Sequence, residues 1–246
     1  MNNSLVQDVK TYFHAHVLAW RNPAIILVTL LAAAFFYFFN YSFYTSMSLL
    51  ASHGRTLGPL DYFIVPLVRI FENTLQFLIV GAIAYYIAQK NAVTLSQSFK
   101  VASSHIISFV GFAIIQFLFS RTLVAQFPQW SLVITLIDTL IRVFLLFYAV
   151  QFCVLASQNA VTSMTNSSKL VLKTIGAVII SLIASFILGN VSNHALTSVQ
   201  RAFGPAEQAY WLSASTALTL LDQALFMYLK VVTLGIYATL LYGQKE

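Results

Sequence analysis

Residues 91–100 read NAVTLSQSFK, and residues 159–169 read NAVTSMTNSSK. Each stretch starts with the same tetrapeptide, continues with hydroxyl-bearing residues and ends on a lysine. Each also follows a long apolar run and leads into another apolar run that contains a glycine. The shared context indicates that one unit occurs twice, over about 62–120 and again over about 132–189.

The unit consists of an apolar run, a short amphipathic joint and a second apolar run. In each joint the asparagine, Asn91 or Asn159, can end one helix, while the threonine, Thr94 or Thr162, can cap the next helix. Both units then cross a membrane in the same order, so they should be parallel repeats related by an axis near the membrane normal. The sequence therefore predicts two duplicated helical hairpins.

The composition places these hairpins in a membrane. The chain of 246 residues is 59% hydrophobic and only 8% charged, whereas a soluble domain carries about a quarter charged residues. Apolar runs of roughly 20 residues recur, which is the length that crosses a bilayer as a helix. We therefore expect a single all-α, polytopic membrane domain over residues 1–246. Six spans are predicted at 24–47, 62–88, 101–120, 132–157, 171–189 and 212–241.

The residues before the first span favour a helix lying on the membrane surface. Within residues 1–21 the apolar side chains recur at helical spacing, and basic and polar residues occupy the rest of the turn. A frayed tail is the alternative interpretation. The apolar positions are Val6, Val9, Phe13, Val17 and Trp20.

Lysine and arginine set the orientation, because cytoplasmic segments of membrane proteins carry an excess of both. The termini and the even-numbered connections carry Lys10, Arg21, Lys90, Lys100, Lys169, Lys173 and Lys245, while the opposite side carries Arg55, Arg121 and Arg201. This distribution predicts that both termini are cytoplasmic. The isoelectric point near 9.5 is then a consequence of topology and anionic lipid, and we expect no nucleic-acid partner.

The stretch Gln151–Leu182, QFCVLASQNAVTSMTNSSKLVLKTIGAVIISL, resembles the YciC family of bacterial inner-membrane proteins and the related membrane domain of glycerophosphodiester phosphodiesterases. The likeness lies in the hydroxyl-rich joint with Ser-x-x-Leu at Ser167–Leu170, and in the expected six spans. The resemblance implies a multi-pass protein of the bacterial inner membrane and no particular reaction. The chain departs from the family in its sparse basic residues in the joint, its missing Pro-Gly pair and its missing phosphodiesterase domain.

Ionisable residues inside the spans should face partners or water, because charges are costly in hydrocarbon. Counted at ~1.5 Å per residue, Glu72, Arg142 and Asp222 come out at similar depth near the middle of the bilayer. We therefore expect a buried network around Arg142, and we interpret Lys230 as a lysine that snorkels to the inner interface. The residues of the predicted network are Arg69, Glu72, Asp138, Arg142 and Asp222.

One further sequence pattern indicates helix packing. The sequence contains no known catalytic motif. Small residues at four-residue spacing predict a helix-packing ridge on the fifth span, formed by Ala177, Ser181, Ser185 and Gly189. The scattered histidines and the single cysteine match no metal or nucleophile motif. We therefore expect no enzymatic activity, no cofactor and no metal.

These observations favour a non-enzymatic accessory protein of the inner membrane that acts in envelope or lipid homeostasis, with membrane lipids as partners. A small transporter or channel-like carrier that uses the mid-bilayer charges is the main alternative. An intramembrane lipid enzyme is a third, which would need a histidine or a carboxylate pair at headgroup depth. The sequence leaves open whether a protein partner or a second copy binds.

Overall fold

A computed structural model describes residues 2–52, 59–90, 92–118, 128–184, 186–187, 191 and 208–244. All regular structure in these residues is helical, which confirms the all-α class. The helices are α1 (Asn2–Arg21), α2 (Pro23–Ser52), α3 (Pro59–Ala88), α4 (Leu95–Ser103), α5 (Ile106–Leu118), α6 (Ser131–Ile141), α7 (Ala149–Leu155), α8 (Ala160–Lys173), α9 (Ile175–Ala184), α10 (Gln208–Lys230) and α11 (Ala238–Gly243). A 3₁₀ turn, Pro128–Trp130, precedes α6. Two π-helical segments, Arg142–Leu146 and Val231–Tyr237, follow α6 and α10.

Three stretches of helix are long and apolar enough to cross a membrane: Pro23–Phe43, Ile64–Ala88 and Ala217–Gly243. Two helix pairs pass the same test together but are bent at a short break, by 71° between α4 and α5 and by 92° between α8 and α9. The described residues therefore contain three such helices, or up to five spans if each bent pair counts as one. This pattern indicates a multi-pass membrane protein.

Six spans remain a prediction. The predicted span 132–157 is interrupted by the first π segment, and its apolar helical part, Thr139–Leu155, is shorter than the three long helices. The predicted third and fifth spans both begin before a bend. Val101–Ser103 belong to the amphipathic helix α4, and Val171–Lys173 belong to the amphipathic helix α8.

The two joints start their second helices differently. Thr94 is the N-cap of α4. Its Oγ1 accepts from the backbone N–H of Gln97 at 3.2 Å, and Oε1 of Gln97 accepts from the backbone N–H of Thr94 at 2.8 Å. In the second joint Asn159 is the N-cap, and its Oδ1 accepts from the N–H of Thr162 at 3.0 Å. The expectation that Thr162 caps this helix was wrong, because Asn at the β-region position is at least as good a cap as Thr.

The N-cap of α4 is therefore the last residue of the shared tetrapeptide, Thr94, whereas the N-cap of α8 is its first residue, Asn159. Before it, the chain turns through a positive φ at Lys90 in one joint and at Ser157 in the other, which do not occupy the same place relative to the tetrapeptide. The role assigned to Asn91 lies outside the described residues. The duplication of the hairpins remains a prediction.

Small residues let the amphipathic helices pack closely on the hairpins. Ser98 of α4 and Ser163 and Ser167 of α8 are fully buried. Gly81 of α3 lies against the ring of Phe109 in α5 and the side chain of Val154 in α7, which brings the three helices together. The resulting apolar cluster joins α3, α4, α5 and α7.

Candidate functional site

The charged residues predicted to lie inside the bilayer are only partly brought together. Arg69 donates from Nη1 to Oε2 of Glu72 at 3.0 Å, with side chains 45% and 5% exposed respectively. Asn40 of α2 also interacts with the Glu72 carboxylate. A buried acid is thus held between α2 and α3 by a partly exposed arginine on its own helix.

The predicted buried network around Arg142 stays a prediction. Its side chain is exposed, as are those of Thr139 and Leu140 before it. Asp222 is partly exposed on α10, and the side chain of Asp138 lies outside the described part of the chain. Counting residues along a helix gives depth but not the face of the helix, so equal depth alone does not place such groups together.

Lys230 does not snorkel to the membrane surface. Its ammonium donates to Oε1 of Gln76 on α3 and lies 5.3 Å from the ring centre of Phe77 and 6.0 Å from that of Phe226. Gln76 lies twelve residues before the end of α3 at Ala88, which is roughly 18 Å along the helix axis. The lysine therefore points into the middle of the bundle.

The first π segment is stabilised by hydroxyl groups from α8 and the bend after it. The backbone N–H of Tyr148, just after this segment, donates to Oγ of Ser167 at 3.0 Å. The Tyr148 hydroxyl is bonded to Oγ1 of Thr174 at 2.8 Å, at the 92° bend. Serine and threonine side chains satisfy backbone groups that an irregular helix leaves free in a membrane. Tyr148 thus fixes α8 and the bend against α7.

The second π segment is held by a side chain of α7 and a backbone carbonyl of α9. Nε2 of Gln151 donates to the C=O of Leu234, and it lies 3.4 Å from Oγ1 of Thr239. The hydroxyl of Tyr237 donates to the C=O of Ala177 at 3.2 Å. These contacts bring the irregular part of the last helix against α7 and α9.

The predicted packing ridge is partly described. Ala177 and Ser181 are buried within the chain, and Ala177 accepts the hydrogen bond from Tyr237. Ser185 and Gly189 lie outside the described residues. Sequence reasoning did not identify Tyr148, Ser167, Thr174 or Tyr237 as a group. The hydroxyl residues within apolar runs were a usable signal, but the π segments that bring them together leave no mark in the sequence.

Helix α1 has three distinct faces at about 100° per residue. Tyr12, Ala15 and Ala19 are buried against the bundle. Val6, Phe13, Val17 and Trp20, which formed the predicted apolar stripe, are exposed on an adjacent face. Lys10, His14 and Arg21 are exposed on the third face. An apolar outer face beside a basic face is typical of a helix at the membrane interface.

Aromatic and polar contacts fix the inner face of α1. Nδ1 of His16 lies 2.9 Å from the hydroxyl of Tyr228, and the Tyr12 ring packs edge-on at 5.1 Å from that of Tyr237. The carboxylate of Asp8 lies beside Gly176 in the first turn of α9, where a helix N-terminus favours a negative charge. Partial burial lowers the pKa of His16 below its ordinary value.

Contacts between chain segments show which helix ends lie together. Asn22, after α1, donates to the Tyr86 hydroxyl near the end of α3 at 3.0 Å. The rings of Phe152 in α7 and Tyr242 in α11 are 5.0 Å apart. Gly111 of α5 lies next to Ala160, the first residue of α8. One end of the bundle thus gathers α1, α4 and α8.

The charges exposed at this end are basic. We name them the basic collar, and they lie on or next to the three amphipathic helices. The collar consists of Lys10, Arg21, Lys90, Lys100, Lys169 and Lys173. Asp8 is turned toward α9 instead of outward. The arrangement presents positive charge around an apolar bundle, which is how a protein contacts anionic headgroups.

Within the described ranges, no three His, Cys, Asp or Glu side chains are grouped so that they could hold a metal ion. Cys153 is buried. Comparison with family models, with curated proteins and with solved structures finds no match to this chain. The likeness to the YciC family therefore remains a prediction from residues 151–182.

Proposed function

We propose that this chain is a non-enzymatic accessory protein of the bacterial inner membrane, with both termini in the cytoplasm, that acts in envelope or lipid homeostasis by engaging anionic lipid. The observation that carries the proposal is the basic collar. Its five lysines and one arginine are exposed on or beside three amphipathic helices at one end of an apolar bundle.

Several weak contributions to membrane-surface binding add together. A basic side chain near an anionic membrane surface contributes roughly 1 kcal/mol of attraction. The exposed Val6, Phe13, Val17 and Trp20 of α1 can enter the interface beside that charge. Two more amphipathic helices, α4 and α8, each precede a bend in the chain and carry Lys100, Lys169 and Lys173. Lipid headgroups are therefore the chemistry that this surface fits best.

The direct test compares lipid binding in purified protein. Lys10, Lys169 and Lys173 are replaced together by Gln, and a matched variant carries Arg at the same positions. We expect the Gln variant to keep fewer anionic lipids through purification, as counted by native mass spectrometry, while the Arg variant resembles the parent. An unchanged complement of anionic lipid in the Gln variant would contradict lipid engagement by the collar.

The cellular part of the proposal needs its own readout. A bacterial strain that lacks the protein is complemented with the parent, the Gln variant or the Arg variant, and envelope permeability to a dye is measured. We expect the parent and the Arg variant to restore the barrier and the Gln variant to fail at equal abundance. Equal restoration of the barrier by the parent and both variants would show that the basic collar is not needed for the cellular function.

A transporter is the second candidate, favoured by the partly exposed ion pair of Arg69 and Glu72. If Glu72 carries protons, Glu72→Gln should abolish a proton leak in proteoliposomes, followed with an enclosed pH-sensitive dye. Asp222→Asn, a change at a partly exposed carboxylate of α10, is the control. Absence of any leak in the parent protein would exclude this route.

A further inference from the structure

The inner face of α1 carries a histidine where this helix contacts α10. His16 is half-buried, and its Nδ1 lies 2.9 Å from the hydroxyl of Tyr228. The centre of its ring lies 4.9 Å from that of Tyr12 and 5.6 Å from that of Tyr228. Ala15 and Ala19, on the same face, are fully buried. The imidazole is therefore part of the surface through which α1 packs on the bundle.

The hydrogen bonds at Tyr228 favour a neutral His16. The side chain of Trp20 also interacts with the Tyr228 hydroxyl, and an indole N–H can only donate. The hydroxyl is then able to give its own proton to Nδ1 of a neutral imidazole, so the three groups form a chain with one direction. A protonated imidazole only donates. The Tyr228 hydroxyl would then face two donors, and a charge would occupy a half-buried position.

The acids on neighbouring helices do not contact His16. Asp8, eight residues earlier on α1, is about 12 Å away along the axis, and its carboxylate lies beside Gly176 of α9. Asp222 precedes Tyr228 by six residues, or about 9 Å along α10. Charging His16 thus brings no new ion pair among the described side chains.

The other ionisable groups on the elements around His16 are tyrosines, which stay neutral below about pH 8. The second π segment contributes Tyr237, whose ring packs edge-on against Tyr12, while Tyr242 of α11 packs on Phe152 of α7. The first three turns of α2 and the whole of α9 contain no ionisable residue. The basic residues of α1 are exposed on another face and stay on the same helix as His16 whether or not that helix is docked.

We propose that α1 is a pH-sensitive switch within the basic collar. When His16 takes up a proton, the docked position of α1 loses stability relative to an undocked position in which the imidazolium reaches water. Lys10 and Arg21 then leave the bundle with α1, which separates their charges from the lysines of α4 and α8. This consequence for lipid rests on the proposed function of the collar, whereas the release of α1 does not.

The release occurs on the acid side. Burial lowers the pKa of His16 below its ordinary value of 6.5, so the undocked form binds the proton more tightly than the docked form. The undocked population therefore rises as the pH falls below about 6.5. One proton is linked to the release, which limits the rise to about tenfold per pH unit.

The test measures how fast a water-soluble maleimide labels single cysteines in the detergent-solubilised Cys153→Ala chain. Ala15→Cys reports on the buried face of α1, and Phe13→Cys, at an exposed position of the same helix, corrects for the pH dependence of the thiol reaction. We expect the ratio of the Ala15→Cys rate to the Phe13→Cys rate to rise several-fold between about pH 7 and about pH 5.5. The rise should vanish with His16→Gln and persist with His14→Gln.

A ratio that stays constant would overturn the proposal, and so would an equal rise with His16→Gln. A ratio that falls in acid would also overturn it, because the tyrosine rings would then hold the imidazolium in place. If Ala15→Cys itself undocks α1, amide hydrogen exchange in the unmodified chain decides instead, after correction for the intrinsic exchange rate at each pH. Residues 12–19 should lose protection in acid relative to α8, and equal changes in both helices reject the switch.

The labelling is done without added lipid. A switch that fails this test leaves the lipid retention of the collar variants unchanged, and a collar that fails to retain lipid leaves the labelling ratio unchanged. The two proposals are therefore rejected by different results.

Discussion

Gly81 of α3 is the point where a single added methyl group meets two neighbouring helices. A Cβ at this position would lie 2.9 Å from Cζ of Phe109 and 3.2 Å from Cγ2 of Val154. Phe109 is fully buried, so its ring has little room to withdraw. We expect Gly81→Ala to lower the free energy of unfolding by about 1–3 kcal/mol.

The matched control for this substitution is Gly243→Ala, at the end of α11. A Cβ there would meet nothing within 4 Å, so its effect should be within a few tenths of a kcal/mol. Both are measured by denaturant unfolding in detergent. If the two glycine variants unfold alike, α3, α5 and α7 do not meet at Gly81 as described.

His16 predicts a pH dependence at the scale of one side chain. Burial lowers its pKa below the ordinary 6.5, so the unfolded chain binds a proton more readily than the folded one. Stability from this group is therefore complete above about pH 6.5 and is lost as the pH falls below it. We expect the unfolding temperature to drop between about pH 7.5 and about pH 5.5, and less so in His16→Gln.

The control is His14→Gln, because His14 is exposed on the outer side of α1. Its pH profile should follow that of the parent. The groups that face His16 are the rings of Tyr12 and Tyr228, which stay neutral across this range. A profile of His16→Gln identical to the parent's would assign the acid sensitivity to another group.

At the scale of elements, the two joints differ in which residue of the shared tetrapeptide caps the following helix, so the same threonine-to-alanine change should have different effects in the two joints. Thr94→Ala should weaken the start of α4 by about 1 kcal/mol, and Asn159→Ala should do the same for α8. Thr162→Ala should have little effect, since Thr162 is exposed and only its backbone N–H is bonded. Amide hydrogen exchange at the first turn of each helix measures this, and faster exchange in Thr162→Ala than in Asn159→Ala would reverse the assignment.

The Tyr148 contacts predict how firmly the second bend is held. Tyr148→Phe removes the hydroxyl bonded to Thr174 at 2.8 Å but keeps the backbone bond to Ser167. Hydrogen bonds between membrane helices contribute about 0.6–1.7 kcal/mol, so the loss in unfolding free energy should fall in that range. Tyr41→Phe, at an exposed tyrosine of α2, should be neutral; a loss as large there would show that the hydroxyl bond is not what matters.

Periodicity and composition were enough to predict helices, the amphipathic joints and the outer face of α1. They were not enough to predict how those elements are oriented. The chain bends by 71° before α5 and by 92° before α9, and neither angle can be calculated from hydropathy. Ser98, Ser163 and Ser167 are buried where the amphipathic helices pack on the bundle. Depth along a helix likewise does not give the direction of a side chain, and the side chain of Arg142 is exposed.

At the scale of the whole molecule, the crossing number is the main open prediction. Single cysteines are introduced at Lys10, Lys169 and Arg121 in a Cys153→Ala background, which removes the native thiol. With six crossings and cytoplasmic termini, a membrane-impermeant maleimide outside intact cells should label the cysteine at position 121 and neither of the other two. Labelling of position 169 from outside would place the second joint on the wrong side and end the parallel-repeat prediction.

The packing of α1 against the C-terminal part of the chain has a consequence for how the protein is made. His16 contacts Tyr228, which lies 212 positions later in the chain, and Tyr12 packs on Tyr237. At about 5–20 residues per second, the ribosome needs roughly 10–40 s to supply those partners after α1 has emerged. The first helix to be synthesised must wait for the last, so a nascent chain that stalls before residue 208 leaves α1 undocked, with its tyrosine and alanine face open to chaperones and proteases.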